Sequence, residues 1–289
     1  MLKALIKTMR PRQWTKNGFV MAAIIFDRQL FIVNSLLRSA AAMLLFCLLS
    51  STVYIINDVM DVEADRQHPE KRKRPIAAGQ LPIPVAITAA VIIFAVTMVL
   101  AYLLSPEFAI IALVYFLVNL AYSTRLKHIP LLDVLILASG FVLRVGAGVS
   151  VIHVERFSPW LYMVTTLFAL YLGFGKRRAE LTLLSGNANL HRRVLEGYTL
   201  PLLDQLITIV SGTTIVAYSL YTFSAPNLPA NHSMMLTIPF VLYGIFRYLY
   251  LIQVKKEGGA PEELLLKDRP LQATVLLYGL AVLLVFYLF

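Results

Sequence analysis

The chain has 289 residues, 58% of them hydrophobic and 15% charged, with a mean hydropathy of +0.73 and a formal net charge of +10. Soluble domains average roughly 45–50% apolar residues, so this composition excludes an ordinary soluble enzyme and places the chain in a membrane. The excess of cations is read as topology and attraction to anionic lipid headgroups, with no nucleic-acid partner. The single cysteine, Cys47, lies inside an apolar run and is read as packing.

Residues 1–16 are basic and amphipathic, with no small-residue cleavage site after them, and are predicted to lie in the interface as a helix and not to act as a signal peptide. A bilayer crossing needs about 17–25 apolar residues. Runs of that kind fall near 36–57, 82–104, 107–123, 131–152, 158–175, 202–224, 232–253 and 270–289. A shorter run near 17–33, interrupted by Asp27 and Arg28, makes nine expected spans in an all-α, polytopic membrane domain covering 1–289. Most of the 26 Lys and Arg residues fall in the N-terminus and in 66–74, 125–127, 176–193 and 255–269, whereas Arg28, Arg38 and Arg156 fall on the other side and Arg144 and Arg247 within spans. By the positive-inside rule the N-terminus is cytoplasmic and the C-terminus outside, in an inner or plasma membrane. The long polar loops lie on the cytoplasmic face, so chemistry is expected there.

The stretch "NDVMDVEADRQHPEKRKRPIAAG" at 57–79 sets five carboxylates and five cations behind an apolar run. A helix continuing to about Asp65 would put Asn57 or Asp58, Asp61 and Asp65 at i, i+3 and i+7 on one face. Carboxylates so spaced repel one another unless a cation lies among them, and Mg2+ takes one or two carboxylates plus phosphate oxygens and water. The spacing therefore suggests a Mg2+ site completed by a phosphorylated ligand, with Mn2+ as the other metal considered. The plain alternative is that the acids pair with Lys71, Arg72, Lys73 and Arg74 on a solvated loop. Arg74, followed by "PIAAG", reads as backbone held at the membrane boundary, where a phosphate would use metal and arginine together.

This motif resembles the first aspartate-rich motif of the UbiA superfamily of intramembrane prenyltransferases, NDxxDxxxD followed by a basic R-P-I segment. The resemblance covers essentially the whole chain and implies a nine-helix UbiA-like bundle with a cavity open to the cytoplasm. The superfamily's second motif is usually a further acid cluster; here the corresponding "GFGKRRAEL", 173–181, has one acid, Glu180, and the cations Lys176, Arg177 and Arg178. With "RPRQWTKN" (10–17), "YSTRLKHIPLLD" (122–133) and "YGIFRYLYL" (243–251), it resembles the decaprenyl-phosphate phosphoribosyltransferase branch. That branch implies 5-phosphoribosyl 1-diphosphate (PRPP) as donor and a polyprenyl phosphate as acceptor, with an end use in arabinan precursors of the cell wall.

On that resemblance, Asn57, Asp58, Asp61, Asp65 and Glu180 are the expected metal ligands, and Asp58, Asp61, Lys176 and Arg177 the expected catalytic residues. Lys16, Asn57, Arg74, Tyr122, Lys127, Arg144, Lys176, Arg177, Glu180 and Arg247 are expected to bind substrate. Arg144 and Arg247 stand out because an arginine inside a span is costly and usually faces a polar cavity; no acid near Arg247 in sequence offers it a partner, and Asp133 lies too far along one helix from Arg144. No general base is expected among the histidines: His68 and His128 read as structural or phosphate-contacting, and His153, His191 and His232 receive no role. Two competing functions are an aromatic prenyltransferase of the same superfamily and, more remotely, an anion transporter. Self-association is left open.

Overall fold

Short polar residues and prolines set the first turns of several long helices. Ser105 Oγ accepts the Phe108 N–H (3.3 Å) ahead of Pro106, Thr199 Oγ1 accepts the Leu202 N–H (3.3 Å) ahead of Pro201, and Asp268 Oδ1 accepts the Leu271 N–H (2.9 Å) ahead of Pro270. Each is a side-chain cap on an otherwise unsatisfied donor, with proline where its missing N–H costs nothing. The structure, a computed structural model, describes residues 1–154, 159–184, 193–225, 228–256, 264–265 and 267–288; Arg156 and His191 lie outside them. No strand occurs among the described residues.

The helices are α1 (Leu2–Thr8), α2 (Ala22–Phe26), α3 (Val33–Met60), α4 (Val62–Gln67), α5 (Ile83–Leu104), α6 (Pro106–Thr124), α7 (Leu132–Val149), α8 (Pro159–Leu184), α9 (Leu200–Ser224), α10 (Ile238–Gln253) and α11 (Arg269–Leu288). Among the described residues seven are long and apolar enough to cross a membrane: α3, α5, α6, α7, α9, α10 with its lead-in turn from Ser233, and α11. The two remaining runs differ. α8 has 26 residues, but its last third carries Lys176, Arg177, Arg178 and Glu180. Residues 17–33 are not one helix: a 3-10 helix, Pro11–Met21, leads into the five-residue α2. The chain then turns at Asp27 and at Arg28, whose φ of 58° no helix accommodates.

The chain divides into two compact units, Met1–Thr124 with Leu143–Glu155, and Arg125–Val142 with Arg156–Phe289. In the first, Phe46 packs on Phe108 and Tyr115 with ring centroids 5.8 and 5.1 Å apart, surrounded by Val20, Leu49 and Ala147. The N-terminal 3-10 helix is fastened along α3 by polar contacts. Trp14 Nε1 donates to Ser51 Oγ (3.1 Å), and Asn17 Nδ2 donates to Ser50 Oγ (3.1 Å). In the second unit Val134, Tyr171, Phe174, Leu203, Ile207, Tyr248 and Ile252 form the core. α8 and α10 approach so closely that a Cβ at Gly175 would lie 2.8 Å from the Tyr248 hydroxyl, a separation only glycine permits.

Candidate active site

In the first unit the acid-rich segment folds against its own basic tail. α3 ends at Met60, and Asp61 (φ −93°, ψ 8°) is the joint to α4, so the expected continuous helix to Asp65 is interrupted. The joint still carries hydrogen bonds, Asp61 N–H to the Asn57 carbonyl (2.9 Å) and Asp65 N–H to the Asp61 carbonyl (2.8 Å). Its effect is to turn Asp58 and Asp65 inward, each 2% exposed, and to leave Asp61 half-buried. The Arg74 guanidinium bridges the pair, with Nη1 at 3.1 Å from Asp58 Oδ1 and 2.6 Å from Asp65 Oδ2. Arg10 Nη2 pairs with the same Asp58 oxygen, its guanidinium 4.9 Å from the centre of the Tyr54 ring. Two carboxylates buried this deeply require such partners, since an isolated buried charge costs several kcal/mol. The plain alternative, acids paired with the basic tail, is met in part: Asp58 and Asp65 do pair with Arg74, though buried and not on a solvated loop, while Lys73 meets Glu70 on exposed surface, as Arg66 meets Glu63. His68 caps the next turn, Nδ1 accepting from the Glu70 and Lys71 N–H groups.

Whether the donors suit Mg2+ can be judged from their chemistry. Asp58 and Asp65 are hard oxygen donors, and Asn57 Oδ1 is a buried carbonyl oxygen with no hydrogen-bond partner among the described residues, a group that ordinarily demands one. An all-oxygen set fits a hard divalent cation. Among the described residues no three His, Cys, Asp or Glu side chains are already gathered as a cage; the positive charge between the acids is arginine.

Arg144, 7% exposed, also belongs to this unit. Its Nε donates to Asn17 Oδ1 and its Nη2 to the Tyr115 hydroxyl, both at 2.8 Å. It ties the N-terminal segment, and with it the half-buried Lys16, to α6 and α7. Tyr122 lies half-buried in the last turn of α6.

The second unit holds the "GFGKRRAEL" segment. Arg177 is 1% exposed, its Nε 2.8 Å from Asp133 Oδ2, which is wholly buried, and its Nη1 pairs with Glu180. The structure places the guanidinium of Arg177, a residue expected to bind substrate, between Asp133 and Glu180. Asp133 Oδ1 accepts the Tyr198 hydroxyl (2.7 Å), and that hydroxyl accepts the Leu131 N–H (2.6 Å). Arg178 pairs with Asp204 (2.5 Å), while Lys176 and Lys127 are half-buried. Arg247, also expected to bind substrate, likewise meets a protein carboxylate. It makes a two-pronged contact with Asp268, Nε to Oδ1 at 3.2 Å and Nη2 to Oδ2 at 2.8 Å; the acid that the sequence around Arg247 lacks comes from the start of α11. Arg10, Asn17, Asp133, Tyr198, Asp204 and Asp268 were not foreseen. Arg10 and Asn17 had a signal as the ends of "RPRQWTKN", and Asp133 as the end of "YSTRLKHIPLLD".

Residues 19–267 match the UbiA prenyltransferase family. The chain belongs to that family. It is 34% identical to a decaprenyl-phosphate phosphoribosyltransferase of Corynebacterium glutamicum, over 98% of this chain and 87% of the relative. It is 36% identical to one of Mycolicibacterium smegmatis, over 94% and 89%. A UbiA homolog from Archaeoglobus fulgidus bound to GPP and Mg2+ has the same fold, with a TM-score of 0.74 at 18% identity, covering 97% of this chain and 99% of that one. As a UbiA protein with seven membrane-length helices, the chain is an integral membrane protein.

Proposed function

We propose that this UbiA protein transfers the 5-phosphoribosyl group of PRPP to a polyprenyl phosphate of decaprenyl type, releasing diphosphate. An acceptor phosphate oxygen attacks ribose C1 from the face opposite the leaving group. The new O–C1 bond forms as the C1–O bond to diphosphate breaks, inverting C1. The acceptor oxygen is already anionic near pH 7, so no side chain has to remove a proton. Asn57, Asp58 and Asp65, with Asp61, would hold Mg2+, which when bound offsets the charge of the departing diphosphate. Arg74 and Arg10 supply hydrogen-bond donors that can exchange a carboxylate for a phosphate, and such donors stabilise charge developing on the leaving group. Lys16, Lys127 and Lys176 are the cations for the remaining phosphates, and Tyr122 contacts donor phosphate or ribose. Arg144, Arg177 and Glu180 act on the architecture around them.

The observation that carries this reading is the second segment. Where an aromatic prenyltransferase would have a further acid pair for a prenyl diphosphate, this chain has Lys176 beside an arginine neutralised by its own acids. A net positive segment suits a donor with an additional phosphate.

The whole chain is proposed to work as one membrane domain with nine crossings, the 3-10 helix with α2 and the apolar part of α8 completing the seven. The cation-rich loops put the N-terminus and the chemistry on the cytoplasmic side. Purified protein incubated with PRPP labelled in the ribose, polyprenyl phosphate and Mg2+ should move label into the organic phase, and chelator should abolish this. Label that stays aqueous, with a prenyl diphosphate transferred to an aromatic acceptor instead, would assign the chain to the prenyl-transferring part of the family.

A further inference from the structure

The turn that carries Lys127 ends in an unfavourable conformation. Leu131 has φ 67°, in the left-handed region, where the Cβ of an L-residue crowds its own backbone. Such a residue persists only when its surroundings over-determine it. Here the surroundings centre on one hydroxyl. The Tyr198 oxygen accepts the Leu131 N–H at 2.6 Å and donates to Asp133 Oδ1 at 2.7 Å. Tyr198 is 4% exposed and Asp133 0%. Burial and the bond to Asp133 raise the phenol's pKa above its ordinary value, so it remains a donor across the working range. On the other side of the turn, a side chain at Gly197 would overlap the Pro130 ring. Beyond Asp133 the chain of contacts continues to Arg177 and Glu180 in α8.

We infer that Tyr198 is a positioning residue for the donor: its hydroxyl holds the 125–131 turn in the left-handed conformation at Leu131 and so fixes Lys127, which contacts a PRPP phosphate. This rests on the function proposed above. The side chain touches neither substrate, and its effect passes through the turn.

Tyr198→Phe keeps the ring in its packing and removes only the two hydrogen bonds. The expected result is a KM for PRPP raised about tenfold, with kcat and the KM for polyprenyl phosphate within about twofold. Glycine takes positive φ without steric cost, so adding Leu131→Gly to that variant should restore most of the PRPP KM. Amide hydrogen exchange over 125–131 should be faster in Tyr198→Phe than in the parent, with α5 unchanged. Equal rises in both KM values, failure of the glycine to rescue, or unaltered exchange in the turn would each overturn the assignment. Should the parent fail to use PRPP at all, the functional reading falls while the exchange measurement still judges Tyr198.

Discussion

The two units hold buried charge in opposite ways. In the first, two carboxylates are 2% exposed while the arginines that neutralise them, Arg10 and Arg74, remain 29% and 28% exposed. In the second, arginine and carboxylate are sealed together, Arg177 at 1% and Asp133 at 0%. A cation that still reaches solvent can be exchanged for a ligand; one enclosed with its partner cannot leave without exposing a bare buried charge. The difference separates ion pairs whose cations a ligand could reach from a pair enclosed away from solvent. The basic second segment, whose Lys176 and Arg177 were expected to bind substrate, has its most buried cation, Arg177, paired with Asp133 and Glu180.

The comparison breaks most visibly at the enclosed pair. Arg177→Ala should destabilise the protein by about 3–5 kcal/mol, because Asp133 is left buried and charged with Tyr198 as its remaining donor. Thermal unfolding in detergent should show a large drop in midpoint. Replacing both partners by apolar residues, Arg177→Met with Asp133→Leu, should be less damaging than either single change. A single variant melting like the parent would mean the pair is not sealed.

Next in size is the exchangeable side. Asp58→Asn should lower the rate by about 100-fold or more, the scale on which a leaving group loses its principal support, while the melting midpoint changes little because Arg10 and Arg74 can turn to solvent. Arg74→Lys should be milder: an ammonium keeps the charge but loses the fork that bridges Asp58 and Asp65. A PRPP KM raised about tenfold, with the fold intact, is expected. Normal kinetics in both variants would place these acids in a purely structural network.

Sequence periodicity reads local geometry well and tertiary partners poorly, and the outcome follows that line. The apolar runs of α3, α5, α6, α7, α9, α10 and α11 were legible because length and hydropathy are properties of one segment. Asp58 and Asp65 were legible because their spacing is helical, though the bend at Asp61 was not. Glu180, three residues on, was within reach as a partner of Arg177, whereas its other partner Asp133 and the partner of Arg247 were not. Asp133 and Tyr198 are neighbours only after folding, Tyr198 Oη meeting an acid 65 residues earlier in the chain, and Arg247 meets one 21 residues later. An arginine in an apolar span signals that some anion is near, but not whether protein or substrate supplies it.

Arg247 shows that ambiguity at its smallest scale. Its partner Asp268 also caps α11 through the Leu271 N–H, and the Arg247 bond, followed by the cap, holds the Asp268 carboxyl below the usual carboxylate range despite partial burial. A depressed folded-state pKa contributes stability that is fully present above the unfolded value, about 3.9, and is lost as pH falls through the folded value. Asp268→Asn should therefore melt slightly lower than the parent between pH 5 and 7, by roughly 1–3 °C for a partly solvated pair. The gap should close as pH drops below about 4, where the parent's own carboxyl takes up its proton. Arg247→Lys, which keeps the charge and loses the two-pronged contact, should reproduce that small loss with unchanged KM for both substrates. A raised KM in the lysine variant would instead show that substrate phosphate competes with Asp268 for the guanidinium, which at 25% exposed reaches solvent much as those of Arg10 and Arg74 do.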